Sequence, residues 1–351
     1  MSNLPSIVSQ KEGLFEDGFY QLKPNKDGSS SLYSEITGRS PVIFLLSERK
    51  KNMTKKIKSI EVFKEFLEAF RCPHCKGPLQ VINSKSLKCT KNHTFDFAKQ
   101  GYVNLMTHPS KSHYDKKLFD ARQKIVMESN LYTLLHNKIS KVIKGYFDEH
   151  PTFPFLILDA GCGEGSHLHK ILDECRNTAI TGVGLDISKD GIVMAAKKYQ
   201  EPIWLVGDLA KSPLEDQSFH LILNILSPSN YKEFKRILVP NGLVIKVVPR
   251  PGYLKEIREV FFEDTAKVTY KNDDTVELFK RHFKLIDVLN LCYTKRLNKA
   301  ERINLVQMSP LSWNAEKTDV DSFINQDSSD ITVNLDILIG TLNSHLSDKT
   351  L

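Results

Sequence analysis

The sequence predicts an α/β fold: a parallel sheet covered by helices on both faces, preceded by a small metal-binding segment. Three observations predict it. Short apolar runs alternate with helical patterns from Phe155 onward, a glycine-rich turn closes the first of those runs, and cysteine and histidine side chains sit at close spacing upstream. Runs that are hydrophobic throughout and alternate with helices are the pattern of parallel strands buried on both faces.

The elements follow in order. Residues 155–160 read as a strand and 167–175 as a helix, then 180–185 as a strand and 189–199 as a helix. Further strands are expected at 203–207, 221–226 and 243–248, with a helix at 231–238 between the last two. After a helix at 252–263, longer strands at 284–293 and 331–337 bring the count to seven, and no internal repeat is visible. Upstream, 59–70 reads as an amphipathic helix, 72–108 as short strands and turns, and 115–128 and 131–149 as helices. In the last of these Leu131, Leu134, Leu135, Ile139, Val142 and Ile143 share one face, the spacing of a packed helix.

A length of 351 residues admits one large domain and one or two small ones. With 40% hydrophobic and 26% charged residues the chain has ordinary globular composition, which excludes fibrous and wholly disordered classes. No apolar run approaches the roughly 20 residues of a membrane span. The chain is therefore expected in the cytoplasm, and its six cysteines read as metal or core residues rather than a disulfide framework. The net charge of +7 is unevenly spread: residues 53–150 hold 18 Lys and Arg against 9 Asp and Glu, whereas 151–351 hold 24 against 27. A basic segment of this kind suits a polyanionic partner, although a solvated basic surface gives the same count. Residues 1–52 are rich in Ser, Gly and Lys without sustained periodicity, and are expected to be a leader outside the native fold, which would start near Met53.

The turn Leu158-Asp159-Ala160-Gly161-Cys162-Gly163-Glu164-Gly165 lies where a first strand ends and a helix opens. Glycines let the backbone turn tightly and let a ligand approach without a Cβ in the way. Asp186 closes the second strand, where a carboxylate can accept both hydroxyls of a ribose, and Asp208 closes the third, where an adenine would lie. A dinucleotide site needs G-x-G-x-x-G for its pyrophosphate. Here Ser166 takes the third glycine position, and Glu164 puts a negative charge inside the loop. That charge repels pyrophosphate and suits S-adenosylmethionine, which carries a sulfonium and an ammonium; Asp159 points the same way. The series D-x-G-C-G-E-G, L-D-I-S and G-D resembles the class I, Rossmann-like methyltransferase fold. A turn without a ligand would not explain acids at three successive strand ends.

Cys72, Cys75, Cys89 and His93 stand in the spacing C-x2-C-x13-C-x3-H. This suits a tetrahedral site built from two chelating turns, and thiolate plus imidazole ligands favour zinc. Four protein ligands leave no open position, so the ion would be structural. A redox C-x-x-C would lack strand–helix context here and leave Cys89 and His93 unexplained. His74, Cys162, Cys175 and Cys292 read as core or loop residues.

With both motifs in place, Asn92-His93-Thr94-Phe95-Asp96-Phe97-Ala98-Lys99-Gln100-Gly101-Tyr102-Val103-Asn104-Leu105 resembles the bacterial 23S rRNA (guanine-N1-)-methyltransferase family. The resemblance extends from about Phe70 to Trp313 and includes Asp120-Ala121-Arg122, Ser227-Pro228 and Val306-Gln307-Met308-Ser309-Pro310. It implies a Cys3His zinc domain joined to a class I core. It implies zinc ligation by Cys72, Cys75, Cys89 and His93. It also implies cofactor contacts from Tyr132, His167 and Leu168. Tyr253 stands where members can carry a histidine near the cofactor. Helix-face packing for Tyr132 and core packing for His167 are the alternatives.

The reaction so implied is transfer of a methyl group from S-adenosylmethionine to guanine N1 in a 23S rRNA hairpin, with the base looped out or flipped so that its Watson–Crick edge is reachable. The turn Asn224-Ile225-Leu226-Ser227-Pro228 is expected to line the base pocket, with Asn224 either a base partner or a satisfied strand-end amide. No general base stands out. Lys88, Lys91, Lys99, Lys111, Lys116, Lys117, Arg122 and Lys124 are expected to meet phosphates, and Phe95, Phe97, Tyr102 and Tyr114 either stack on bases or fill the small core. The domains divide as a 1–52 leader, a 53–110 zinc-binding RNA-recognition domain, a 111–150 helical linker and a 151–351 methyltransferase domain, and the resemblance is compatible with a homodimer. The competing readings are a small-molecule methyltransferase, a zinc RNA-binding module on an inactive scaffold, and, more remotely, a nicotinamide oxidoreductase.

Overall fold

Thr54 opens the first described helix. Its hydroxyl accepts a hydrogen bond from Ile57 N at 3.4 Å, capping α1 (Lys55–Glu65), which buries Ile60 and Phe63. The helix thus begins before the expected residue 59 and ends before 70, because Leu67–Ala69 tightens into a 3-10 turn. A computed structural model describes residues 53–109, 114–150, 154–176, 179–262, 272–326 and 330–342. The leader at 1–52 and Lys111 lie outside the described residues, and Thr54–Leu351 forms one compact unit.

Three short antiparallel strands follow, β1 (Leu79–Ile82), β2 (Ser86–Cys89) and β3 (Thr94–Asp96). Then β4 (Val103–Asn104) leaves this small sheet. Next come α2 (Lys116–Met127), capped by Asp115 on Leu118 N at 2.8 Å, and α3 (Thr133–Glu149). The core opens with β5 (Phe155–Ala160), α4 (Ser166–Glu174), β6 (Ile180–Asp186), α5 (Lys189–Lys198), β7 (Ile203–Val206) and β8 (Phe219–Ile225). It continues through α6 (Tyr231–Ile237), β9 (Leu238–Pro249) and α7 (Lys255–Phe261). It closes with α8 (Asp273–His282), β10 (Lys284–Arg296), α9 (Lys299–Met308), α10 (Lys317–Ile324) and β11 (Asp330–Thr341).

The large sheet runs β10-β11-β9-β8-β5-β6-β7-β4. From β9 to β4 neighbouring strands are parallel, and β11 pairs antiparallel with both β9 and β10. The seven expected strands are all present, and β4 adds an eighth that the sequence reading did not anticipate. Strand order reverses between β5 and β8, and open α/β sheets bind ligands at the carboxyl ends beside such a switch point. One apolar face packs Ile157, Leu223, Ile245 and Ile337 against α3 and α4; the other packs Leu158, Ile222, Val244 and Leu338 against α6 and α8.

The small segment is anchored to this sheet. Phe63, Phe70, Leu87 and Phe97 share a core cluster with Leu185, Leu205 and Leu214. Arg71 N donates to Pro213 O at 2.9 Å, and Leu105 N to Val206 O at 2.8 Å.

The sheet is packed tightly beneath its ligand end. A Cβ on Gly184 in β6 would lie 2.3 Å from Cζ3 of buried Trp204 and 2.9 Å from Cys162 Sγ. Gly184→Ala should therefore cost about 1–3 kcal/mol through overpacking. Urea unfolding followed by Trp204 fluorescence checks this, and an unchanged midpoint would contradict it.

Candidate cofactor cavity and metal site

Burial of the acids below the sheet's ligand end depends on one cation. Between β5 and α4, Gly161, Gly163 and Gly165 all have positive φ, at 80°, 59° and 78°. Side chains there would be strained and would also clash, since a Cβ on Gly163 would lie 2.1 Å from Arg122 Nη1. The bare backbone lets Arg122 reach under the turn from α2. Its Nη1 donates to Glu164 Oε2 at 2.8 Å and to Cys162 O at 3.4 Å. This corrects one expectation: Arg122 is not a phosphate-facing residue, because it lies on the buried face of α2 with Leu118 and Ile125.

Asp159 is 2% exposed, and burial pushes its carboxyl up to about 7 against the opposing attraction of Arg122. Asp186 accepts Gly163 N at 2.8 Å through one oxygen and Ser188 N at 2.7 Å through the other, leaving a second lone pair on each. Asp208 follows β7 and caps a 3-10 turn by accepting Ala210 N at 2.8 Å. Glu164 is fully buried, yet its Oε1 has no hydrogen-bond partner among the described residues. An orphaned carboxylate oxygen in this position fits a cationic group.

A cavity of about 660 Å³ opens at the carboxyl ends of β5, β8 and β9. Tyr132, Gly161, His167 and Tyr253 line it, four of the eleven expected cofactor positions; Asp159, Gly163, Glu164, Gly165, Leu168, Asp186 and Asp208 are not part of its wall. Tyr132 is the N-cap residue of α3, and its hydroxyl meets that of Tyr253 at 2.6 Å. Burial pushes the Tyr253 phenol up to about 12. His167 Nδ1 lies 2.8 Å from Nε2 of His136, and burial holds both imidazoles down, His136 to about 3.

Asn224 is the satisfied strand-end amide rather than a base partner. Its amide hydrogens are shared by Ala160 O, Ser227 Oγ and Pro228 O, while Oδ1 accepts from Ser229 Oγ and Lys246 Nζ. Lys246 and Arg258, which also line the cavity, escaped the sequence reading. A lone lysine inside the apolar run of β9 was the available signal for Lys246. Among the aromatics, Phe95, Phe97 and Tyr102 are buried core residues, and Tyr114 is exposed at the cavity edge, 5.7 Å from the Trp313 ring.

The metal ligands converge. Nδ1 of His93 lies 3.4 Å from Cys72 Sγ and 3.3 Å from Cys89 Sγ, and Cys75 Sγ lies 3.6 Å from Cys89 Sγ. All four ligand atoms fall within 4.8 Å of one another. Tetrahedral zinc with bonds of about 2.3 Å to sulfur separates its sulfurs by about 3.8 Å, so the donor set fits that ion. Two turns hold the ligands: Lys76 N bonds Cys72 O at 2.8 Å and Asn92 N bonds Cys89 O at 2.9 Å. His74 is exposed and stays outside the set.

Comparison with known proteins agrees with both halves. A zinc-ribbon family model described as RlmA, N-terminal matches residues 70–112, and a methyltransferase-domain model matches residues 157–242. YxjB of Bacillus subtilis (strain 168), assigned to the 23S rRNA (guanine-N(1)-)-methyltransferases, is 41% identical over 273 residues, spanning 77% of this chain and 96% of that protein. The chain belongs to this family. A second member, the 23S rRNA (guanine(748)-N(1))-methyltransferase of Streptomyces fradiae, is 30% identical over 72% of this chain and 89% of its own length. The cofactors that go with the family's two parts, S-adenosylmethionine and one structural zinc ion, both find fitting donors in this member. No described helix is long and apolar enough to cross a membrane.

Replacing Cys89 with Ser should bring the zinc content from one ion per chain to background by atomic absorption. Full zinc occupancy in that variant would contradict ligation by all four residues.

Proposed function

We propose that this chain transfers a methyl group from S-adenosylmethionine to N1 of a guanine in a 23S rRNA hairpin, in the cytoplasm. The observation that carries the reading is the cavity wall. It presents Arg122, Lys246 and Arg258 and, among the described residues, no carboxylate, immediately beside the glycine turn. Such a wall suits a nucleotide of a polyanion. An uncharged small-molecule acceptor would gain nothing from Lys246, which no described carboxylate pairs, and the Streptomyces fradiae relative named above acts on 23S rRNA by its name.

S-adenosylmethionine, when bound, supplies an electrophilic methyl group on a cationic sulfonium. The partnerless Oε1 of Glu164 takes the cofactor's ammonium, with Asp159 adding negative potential from below. Gly161, Gly163 and Gly165 give its backbone-side approach, Asp186 takes the ribose hydroxyls through its remaining lone pairs, and Asp208 stands at the adenine end. Tyr132, His167, Leu168 and Tyr253 complete the surroundings. The neutral Tyr132–Tyr253 and His136–His167 pairs hold the wall rigid, which is what a displacement at carbon requires, since alignment supplies most of its rate.

On the RNA side, Lys91, Lys99, Lys116, Lys117 and Lys124 are exposed and available to phosphates, which fix position rather than sequence. In this reading residues 53–110 recognise RNA, 111–150 link and 151–351 carry the chemistry, and two copies associate as a homodimer, which sedimentation tests.

Primer extension on 23S rRNA incubated with protein and S-adenosylmethionine should show a new stop at one guanine, because a methyl on N1 blocks base pairing. No stop at any guanine would overturn the reading. Cys75→Ser should abolish that stop while leaving cofactor affinity within about twofold, since α1 and β4 still anchor the segment. Equal loss of cofactor affinity would defeat this division of labour. Glu164→Gln should weaken cofactor binding by about tenfold or more, measured by calorimetry, as one hydrogen bond to a charged group is lost.

A further inference from the structure

Lys246 is the one charged residue of β9, and it lies 5% exposed in the cavity wall. Its Nζ donates to Asn224 Oδ1 at 2.7 Å and to Ser227 O at 3.2 Å, both neutral acceptors. A lysine ammonium has three N–H groups, so one remains without a protein acceptor among the described residues. No described carboxylate forms an ion pair with it.

The charged groups nearby are committed elsewhere. On β11, Asp336 accepts from Asn272 and Asn290 and faces Arg250. Helix α8 presents Thr275 and Leu278 to the cavity rather than an acid, and α6 presents Tyr231. His220 of β8 accepts from Leu156 N. Around the cavity, Arg122 pairs with Glu164, Arg258 donates to Tyr253 O, and the His136–His167 and Tyr132–Tyr253 pairs are neutral. Burial alone pushes the Lys246 amine down to about 8. A buried ammonium held only by amides and carbonyls lowers stability. Its position beside the Ser227-Pro228 turn, which lines the cavity that the proposed function gives to the acceptor base, gives it a use.

We propose that Lys246 is a specificity-determining residue whose third N–H donates to O6 of the target guanine and whose charge stabilises the base as N1 loses its proton. In the transfer the N1–H bond breaks and its proton passes to water; the freed pair bonds the methyl carbon, and the carbon–sulfur pair stays on sulfur. Negative charge on the deprotonating guanine is shared between N1 and O6, so a cation at O6 acts where charge develops. Guanine offers an acceptor at that position and adenine an amino donor, which would meet donor with donor. The same contact therefore selects the base and assists the reaction.

The inference rests on the guanine-N1 reading, and primer extension with the native chain tests that reading by itself. Where the stop appears, Lys246→Met should lower kcat/KM about 100-fold, with unchanged cofactor affinity, and Lys246→Arg should recover most of that loss at pH 7. Because kcat/KM reports the free enzyme and the ammonium is the active form, native activity should fall relative to Lys246→Arg as pH rises through about 8. A pH-independent ratio, or native activity in Lys246→Met, overturns the inference while leaving the methylation reading intact. A measurement on the native chain decides the matter if the variants do not fold. Carbon NMR of 13Cε-labelled lysine should show the Lys246 titration move to higher pH with a hairpin carrying the target guanine, and stay in place with adenine substituted there. An equal titration with both hairpins overturns the assignment.

Discussion

The contact on which the site depends is the 2.8 Å ion pair between Arg122 and Glu164. Three carboxylates, Asp159, Glu164 and Asp186, stand at the ends of adjacent strands, two of them buried outright. Burial first, and more weakly the neighbouring carboxylates Asp186 and Glu164, raise the Asp159 carboxyl against the attraction of Arg122. One guanidinium beneath the glycine turn makes the cluster tolerable without neutralising it. It also ties α2, outside the sheet, to the first βα turn inside it. The turn's glycines therefore serve two ends: they admit a ligand from above and an arginine from below.

That arrangement refines the electrostatic argument available from sequence. Counting Asp159, Glu164 and Asp186 alone overstates the negative potential, because Arg122 offsets one charge and the shifted Asp159 is partly protonated near neutrality. What survives is local. Glu164 gives one oxygen to Arg122 and keeps the other bare, so preference for a cation is concentrated on a single atom rather than spread over the loop.

The legible parts of the chain were those with a period. Residues 155–160 were bounded correctly because every side chain of β5 is buried, which leaves an unbroken apolar run. β9 is longer than expected because its first half carries Pro240 and Asn241 on exposed positions followed by Gly242, a Pro-Asn-Gly run that reads as loop. β4 has two residues, too few for any period, and is held by pairing with β7. Helices α8, α9 and α10 bury few residues each, so their apolar stripes are faint. In the site, the cluster of Cys72, Cys75, Cys89 and His93 is readable from spacing alone because chelation is local. Arg122 was misread because its partner is 42 residues away, although its place between Leu118 and Ile125 on one helical face marks it as inward. Lys246 is not legible as a site residue, because an apolar run such as 243–248 is read for what it buries and a single cation within it carries no spacing signal.

The small zinc segment is built into the sheet whose strand ends carry the cavity. Its core is continuous with the sheet's through Phe63, Phe70 and Phe97, and β4 makes it part of the sheet by hydrogen bonding. The phosphate contacts proposed for that segment would be held at fixed distance from the cavity through the pairing of β4 with β7. In the proposed function, position is set by the lysines, orientation by the shared core, and identity of the base by what the cavity wall offers. A wall of neutral pairs interrupted by a few cations can discriminate only where those cations stand. Arg122 is paired with Glu164 and Arg258 donates to the Tyr253 carbonyl, whereas Lys246 meets only neutral acceptors and keeps one ammonium hydrogen for a ligand.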